Sequence, residues 1–236
     1  MGLGITTDFH SHILPAADHG SDSVETSLKQ LGIISSHGIK RVVATPHFYP
    51  AADNLEQFLA RRKRCSEALI AAYRGNVPEI FLGAEVLICD GIDRMEGLEK
   101  LAISGTNTIL LEMPFANWSS SLFETVYEIT MTGLTVVIAH IDRYEQRDVE
   151  ELMELNVLAQ LNPGIFLSSR GRRYAEKWLK TGKVAALGSD LHRAHDDTYE
   201  EFIKACSSLG EYTGYVESSM RRLLDGAIPL TQGNII

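Results

Sequence analysis

The chain has 236 residues, 44% of them hydrophobic and 22% charged, with a formal net charge of −9 at pH 7. That length and apolar content suit a single domain over residues 1–236, with no compositional break to mark a linker. The negative balance speaks against nucleic acid or an anionic membrane as partner. No stretch approaches the ~20 apolar residues of a membrane span, and Cys65, Cys89 and Cys206 lack the close spacing of a disulfide framework, so the expectation is a cytoplasmic protein with reduced thiols.

The first patterned stretch is Asp8-Phe9-His10-Ser11-His12. Strand residues alternate faces, so His10 and His12 project to one side and make half a metal site. By itself the pair is as common on strand faces that bind nothing. A helix follows, capped by Ser21 or Asp22, carrying Val24, Leu28 and Leu31 on one face and stopped at Gly38. Arg41-Val42-Val43-Ala44-Thr45-Pro46-His47 is a second strand run, of the kind buried on both faces in a parallel sheet. The next helix covers about Asn54 to Tyr73, with Leu55, Phe58, Leu59, Cys65, Leu69 and Ala72 inward and Arg61 to Arg64 largely solvated.

Ile80 to Glu85 is the third run, and a less regular segment with Asp90, Gly91 and Gly97 comes after it. Thr108 to Pro114 is the fourth, followed by a helix with Leu122, Val126 and Ile129. Thr135 to His140 is the fifth, followed by a helix with Val149, Leu152 and Met153. Val157 to Asn162 is the sixth, closed by Pro163-Gly164, and Val184 to His192 is the seventh. A helical region with Phe202, Ile203, Cys206 and Leu209 and a short one around Met220 to Leu224 end the pattern.

Successive strand ends lie 22 to 38 residues apart, the scale of a strand-helix-strand unit. Seven such units predict an α/β protein, a parallel (β/α)7 barrel with its functional mouth at the C-terminal strand ends. An open doubly wound sheet is the alternative, but no Gly-x-Gly-x-x-Gly turn follows the first strand. The strand ends carry His10, His12, His47, Glu85, Glu112, His140, Asp190 and His192. Each alone would pass for a hydrogen-bonded polar residue, yet their recurrence in six of the seven units argues for convergence. Imidazole and carboxylate without thiolate suit zinc, manganese or iron, and eight donors exceed the needs of one ion, so two or three divalent ions sharing carboxylates are expected. Glu85 and Asp190 are the expected bridging ligands.

The stretches Asp8 to Pro15, Ala44-Thr45-Pro46-His47, Gly83-Ala84-Glu85, Leu111-Glu112-Met113-Pro114, Ala139 to Tyr144 and Gly188 to His192 resemble the PHP (polymerase and histidinol phosphatase) superfamily. Within it they are most similar to the bacterial manganese-dependent protein-tyrosine phosphatases of capsule and exopolysaccharide loci. The resemblance implies a distorted seven-stranded barrel, a trinuclear centre, and hydrolysis of phosphotyrosine on a polysaccharide-biosynthesis tyrosine kinase. It would place one ion among His10, His12, Glu85 and Asp190, a second among Glu85, Glu112 and His140, and a third at His47 and His192. Where the family has Asp-Asp-Gly after the first motif, this chain has Asp18-His19-Gly20, so His19 stands at a ligand position and Asp18 could substitute or act as an acid near the leaving group. Arg193 is the nearest match to a second family arginine.

A hydroxide bridging two ions could attack phosphorus in line without a protein nucleophile. Arg143, three residues past His140, is placed to grip the phosphoryl oxygens. A cysteine-based phosphatase would need arginine six residues after a cysteine, and those positions are Ala71, Met95 and Tyr212. Histidinol-phosphate hydrolysis keeps the same metal core, so substrate choice is expected in loops such as Phe48-Tyr49-Pro50, Asn117-Trp118 and Ser168 to Tyr174. The reading from another class is a metal-stabilised interaction module that has lost catalysis.

Overall fold

The computed structural model describes residues 4–75, 78–193 and 197–231. Apolar runs short enough to be strands alternate with helices along the chain. In order these are β1 (Thr7–Ser11), α1 (Val24–Ser36), β2 (Arg41–Ala44), β3 (His47–Phe48), α2 (Leu55–Ala72), β4 (Glu79–Leu82), β5 (Glu85–Leu87), β6 (Thr108–Glu112), α3 (Ser120–Met131), β7 (Thr135–Ile138), α4 (Gln146–Leu152), β8 (Leu158–Leu161), α5 (Ser169–Lys180), β9 (Val184–Leu187), α6 (Thr198–Ser208) and α7 (Thr213–Leu223). Every residue of β1, β6 and β9 is buried, as expected of parallel strands covered on both faces.

All strand pairs are parallel, in two sheets of order β1-β2-β4 and β3-β5-β6-β7-β8-β9. The two sheets share the second and third runs, each of which is broken in the middle. Pro46, which has no N–H to give a ladder, separates β2 from β3, and Gly83-Ala84 separates β4 from β5. Pairing carries across the breaks, since Gly83 N–H donates to the Ala44 carbonyl at 2.9 Å and Glu85 N–H to that of Pro46 at 3.1 Å. The last run returns to the first. Asp190 N–H donates to the His10 carbonyl at 2.8 Å and His12 N–H to that of Leu191 at 2.9 Å, with a parallel bridge between Ser11 and Leu191. The seven runs thus form a distorted seven-stranded barrel in chain order. Gly188 permits the closure, because a Cβ there would stand 2.4 Å from that of His10.

Several local expectations are corrected. Helix α1 is capped by Ser23, whose hydroxyl accepts from Thr26 N–H, and not by Ser21 or Asp22. Ser21 is buried and its hydroxyl pairs with that of Ser27 at 2.7 Å. Arg62 is not solvated. It is buried, and its guanidinium donates to the Gly83 and Lys100 carbonyls at 2.9 and 3.1 Å, tying α2 to the break between β4 and β5. Ser168 to Tyr174 is not a loop but the cap and first turns of α5. Ala175, Trp178 and Leu179 are the buried face of its twelve residues. Helix α7 is longer than the pattern at Met220 to Leu224 suggests, and it packs on β9 and β1.

Candidate metal centre

Because the strands are parallel and in chain order, their C-terminal ends deliver side chains to one mouth. Glu85 lies at its centre, fully buried at the head of β5. One carboxylate oxygen, Oε2, stands 3.3 Å from Nε2 of both His10 and His12 and 2.9 Å from His47 Nδ1. The other, Oε1, is 2.7 Å from His140 Nε2. Asp190 presents Oδ1 at 3.6 Å to His10, 3.3 Å to His12 and 3.5 Å to His192. Glu112 is further out, its oxygens 3.7 Å from His47 and 3.9 Å from His140. All eight strand-end residues therefore meet.

Among the described residues, three trios have ligand atoms within 4.8 Å of one another: His12, His47 and His192; His10, His12 and Glu85; and His47, Glu85 and Glu112. The family grouping that reserves His47 for a site with His192 is thus only part of the geometry, since His47 also faces Glu85 and Glu112. The donors do not satisfy one another. Nε2 of His10 and of His12 face each other at 3.1 Å, an arrangement in which at most one can donate. His47 Nδ1 and Glu85 Oε2 are buried and close but not aligned as a hydrogen bond, and His192 Nε2 has no partner. Buried polar atoms aimed past each other at a common space are what metal ligands look like without their ion.

The charges make the same demand. Burial works against a charged imidazole at His10 and His12, but the surrounding carboxylates, Glu85 and Asp190 at both and Asp18 also at His12, push both pKa values up. Burial likewise opposes ionisation of Glu85, and the imidazoles of His10, His12 and His140 hold it well below the usual range. Glu112, buried and beside the Glu85 charge, is pushed up to about 7. The pocket needs positive charge, and divalent cations supply it where protons otherwise must. The residues present fit such ions.

Around this set stand residues that hold it. Asp18 accepts from His12 Nδ1 at 2.7 Å, from Gly20 N–H at 2.8 Å and from His47 N–H at 3.0 Å. Burial raises its pKa, yet these bonds keep it below the ordinary value, so the expected acid is an ionised carboxylate turned toward His12. Gly20 lets that turn close, since a Cβ there would stand 2.4 Å from the His12 Cβ. His19 is exposed at the rim, with its ring stacked on His47 at 4.7 Å and His192 at 4.8 Å, and it belongs to none of the three trios. Arg143 ends a single helical turn after His140, and its Nη2 meets Asp190 Oδ2 at 2.6 Å with two-fifths of the side chain exposed. Arg193 is exposed and makes no hydrogen bond or ion pair among the described residues.

Sequence reasoning missed Gln160 and Asn162. Gln160 Oε1 accepts from His140 N–H at 2.8 Å and lies 3.2 Å from His10 Nδ1. Asn162 donates to Asp190 Oδ2 at 2.9 Å. Two amides at i and i+2 in an otherwise apolar run share a face, and that was the available signal. His140 and Asp190 also adopt left-handed backbone, with φ of 30° and 55°, a strain of about 1–3 kcal/mol each that functional sites commonly hold.

Comparison with known proteins gives the chain its relatives. A family model described as "Capsular polysaccharide synthesis, CpsB/CapC" matches residues 6–223. The tyrosine-protein phosphatase CpsB of Streptococcus pneumoniae is 27% identical over 210 residues, covering 78% of this chain and 82% of its own. The tyrosine-protein phosphatase YwqE of Bacillus subtilis is 24% identical over 197 residues, 78% and 76% of the two chains. One of the solved structures described as the unique metal-dependent tyrosine phosphatases YwqE from Bacillus subtilis and CpsB from Streptococcus pneumoniae superposes with a TM-score of 0.74. It covers 94% of this chain and 95% of its own at 22% identity.

Proposed function

The chain belongs to the CpsB/CapC family of capsular polysaccharide synthesis, and we propose that it is a metal-dependent protein-tyrosine phosphatase. The observation that carries this reading is the mutually unsatisfied set of imidazole and carboxylate atoms around Glu85. His10, His12, His47, Glu85, Glu112, His140, Asp190 and His192 hold two or three divalent ions, manganese first, with iron or zinc as alternatives. Such ions supply Lewis acidity that makes water nucleophilic at neutral pH and offsets phosphate charge. His19 stands over the outer imidazoles and adds a donor at the rim.

The protein's own groups do the rest. Arg143 reaches the mouth half-exposed and donates to phosphoryl oxygens as their charge concentrates in the transition state. Asn162 and Arg143 together fix Asp190, Gln160 fixes His10 and the His140 backbone, and Asp18 fixes His12. By engaging Nδ1, Gln160 and Asp18 leave Nε2 of His10 and of His12 free to ligate. A phenol leaves with a pKa near 10, so a tyrosyl ester asks for less acid help than an alkyl phosphate; an ionised Asp18 is compatible with that. The substrate is a phosphotyrosine protein, with a tyrosine kinase of the polysaccharide-assembly machinery as the expected partner in the cytoplasm. No helix among the described residues is long and apolar enough to cross a membrane.

The test is metal analysis of the purified protein together with turnover of a phosphotyrosine peptide and of histidinol phosphate. Chelation abolishes peptide turnover and added manganese restores it. Alkylation, which reaches the half-buried Cys65 and Cys89 before the buried Cys206, leaves it intact. Turnover that survives chelation but not alkylation overturns the reading.

A further inference from the structure

Helix α5 is electrostatically out of place. Its twelve residues carry five cations against one carboxylate in a chain of net charge −9. Arg170, Arg172 and Arg173 crowd its first turns with no acidic residue among them, where the helix dipole already presents positive charge and cations are disfavoured. All three are exposed, and none of their side chains makes a hydrogen bond or ion pair among the described residues. An arrangement that costs the free protein stability calls for an anionic partner.

The place of that partner is set by a cavity of about 680 Å³ with Arg170, Arg173 and Lys177 on its helical wall and Asp142, Tyr144 and Glu145 on the facing wall. Residues 142–145 flank Arg143, so this wall is the back of the loop that brings the phosphate-gripping arginine to the mouth. Gly164 and Ile165 also line the cavity, two and three residues along the chain from Asn162, which holds Asp190. Asp142 is turned inward, accepting from Asn162 N–H at 2.9 Å, and Lys177 is paired with Glu150. Arg170 and Arg173 therefore face the cavity as uncompensated cations, with Glu145 the opposing charge on its rim.

We propose that the groove between α5 and the Arg143 loop docks an acidic stretch of the substrate protein beside the phosphotyrosine, with Arg170 and Arg173 as its specificity-determining residues. The inference deepens the phosphatase reading and rests on it for the identity of the bound protein. A concave groove next to the mouth suits an extended peptide better than a flat lipid surface, and opposite charge at such a site adds discrimination and on-rate that salt screens.

The experiment uses the full manganese-loaded chain and an Arg170→Glu/Arg173→Glu variant, whose new side chains the helix dipole favours. Turnover is measured on p-nitrophenyl phosphate and on two phosphotyrosine peptides, one flanked by glutamates and one by alanines. Binding of a fluorescent, unphosphorylated glutamate-rich peptide is followed by anisotropy. The native protein should prefer the acidic peptide in kcat/KM and lose that preference at high salt. The variant should bind the acidic peptide about tenfold more weakly and lose the preference, mainly through KM, while p-nitrophenyl phosphate turnover is unchanged. Equal handling of both peptides by the native protein, or a preference that survives charge reversal, overturns the proposal. So does charge-dependent capture by phosphatidylglycerol vesicles with no binding of acidic peptide. If no phosphate ester is hydrolysed, the phosphatase reading fails, and the anisotropy measurement still decides whether the groove binds acidic chains.

Discussion

Glu85 and Glu217 are both buried carboxylates at the barrel, one at each end, and their surroundings are opposites. Glu217 lies on α7 under the start of β1, where Thr6 N–H donates to it at 2.9 Å and the Thr6 hydroxyl at 2.6 Å. Arg41 and Arg221 each donate at 3.0 Å. Every contact is a donor aligned on an acceptor, so the cluster is complete and structural. Glu85 has one aligned contact, His140 Nε2 at Oε1, but its Oε2 is ringed at similar distances by nitrogens of His10, His12 and His47 that neither align with it nor settle among themselves. Buried charge with matched donors closes the fold, whereas buried charge with competing lone pairs is a site waiting for a cation.

The comparison can be broken most severely at the mouth. Arg143→Ala should cost about 10²-fold or more in kcat/KM on a phosphotyrosine peptide, carried mostly by kcat, comparable to the loss of one strong oxyanion donor. Lysine should restore little, because it lacks the two-pronged donor geometry. Metal content, read by elemental analysis, should stay full because Asn162 still donates to Asp190 Oδ2, and a variant with normal kcat would remove Arg143 from the phosphate site. Next in size is Asp18→Asn, which leaves His12 without its carboxylate partner. Metal affinity measured by competition with a chelator should fall about 10- to 100-fold; an unchanged affinity would mean that His12 needs no orienting partner.

Away from the metal ligands the effects should fall on stability instead. Arg62→Met removes two bonds to buried carbonyls and should destabilise by about 2–3 kcal/mol in urea unfolding, with kcat per folded molecule preserved. A loss of kcat without loss of stability would place Arg62 in the catalytic machinery. The smallest effect belongs to Glu217→Gln, about 1–2 kcal/mol at neutral pH. Burial raises the pKa of Glu217, but the Thr6 bonds and the Arg221 and Arg41 guanidiniums outweigh it and hold the folded value below the ordinary 4.5. A depressed folded value contributes stability that is present above pH 4.5 and is lost as pH falls through the folded pKa. The difference between native and variant proteins should accordingly shrink on acidification, and a gap that widens below pH 4.5 would show that Glu217 is not held ionised.

What the residues alone determined is the barrel and the eight imidazole and carboxylate strand ends that meet at its mouth. Short apolar runs at regular intervals specify parallel strands because only strands buried on both faces tolerate them, and parallel strands in chain order bring their C-terminal ends together. His10, His12, His47, Glu85, Glu112, His140, Asp190 and His192 were legible because each terminates such a run. Packing decided the rest. Gln160 and Asn162 look like ordinary amides until β8 closes against β9 and sets them on His10 and Asp190. Arg62 looks solvated until the break at Gly83 offers it a carbonyl. Helix α5 buries only three side chains, and the groove it shares with the Arg143 loop depends on which loop packs beside it, which no hydrophobic pattern records. The role of Asp18, between ligand, acid and orienting partner, turns on which nitrogen of His12 it meets, and that depends on the close approach at Gly20. Periodicity records which way a residue faces; what it faces is set by contacts between segments far apart in the chain.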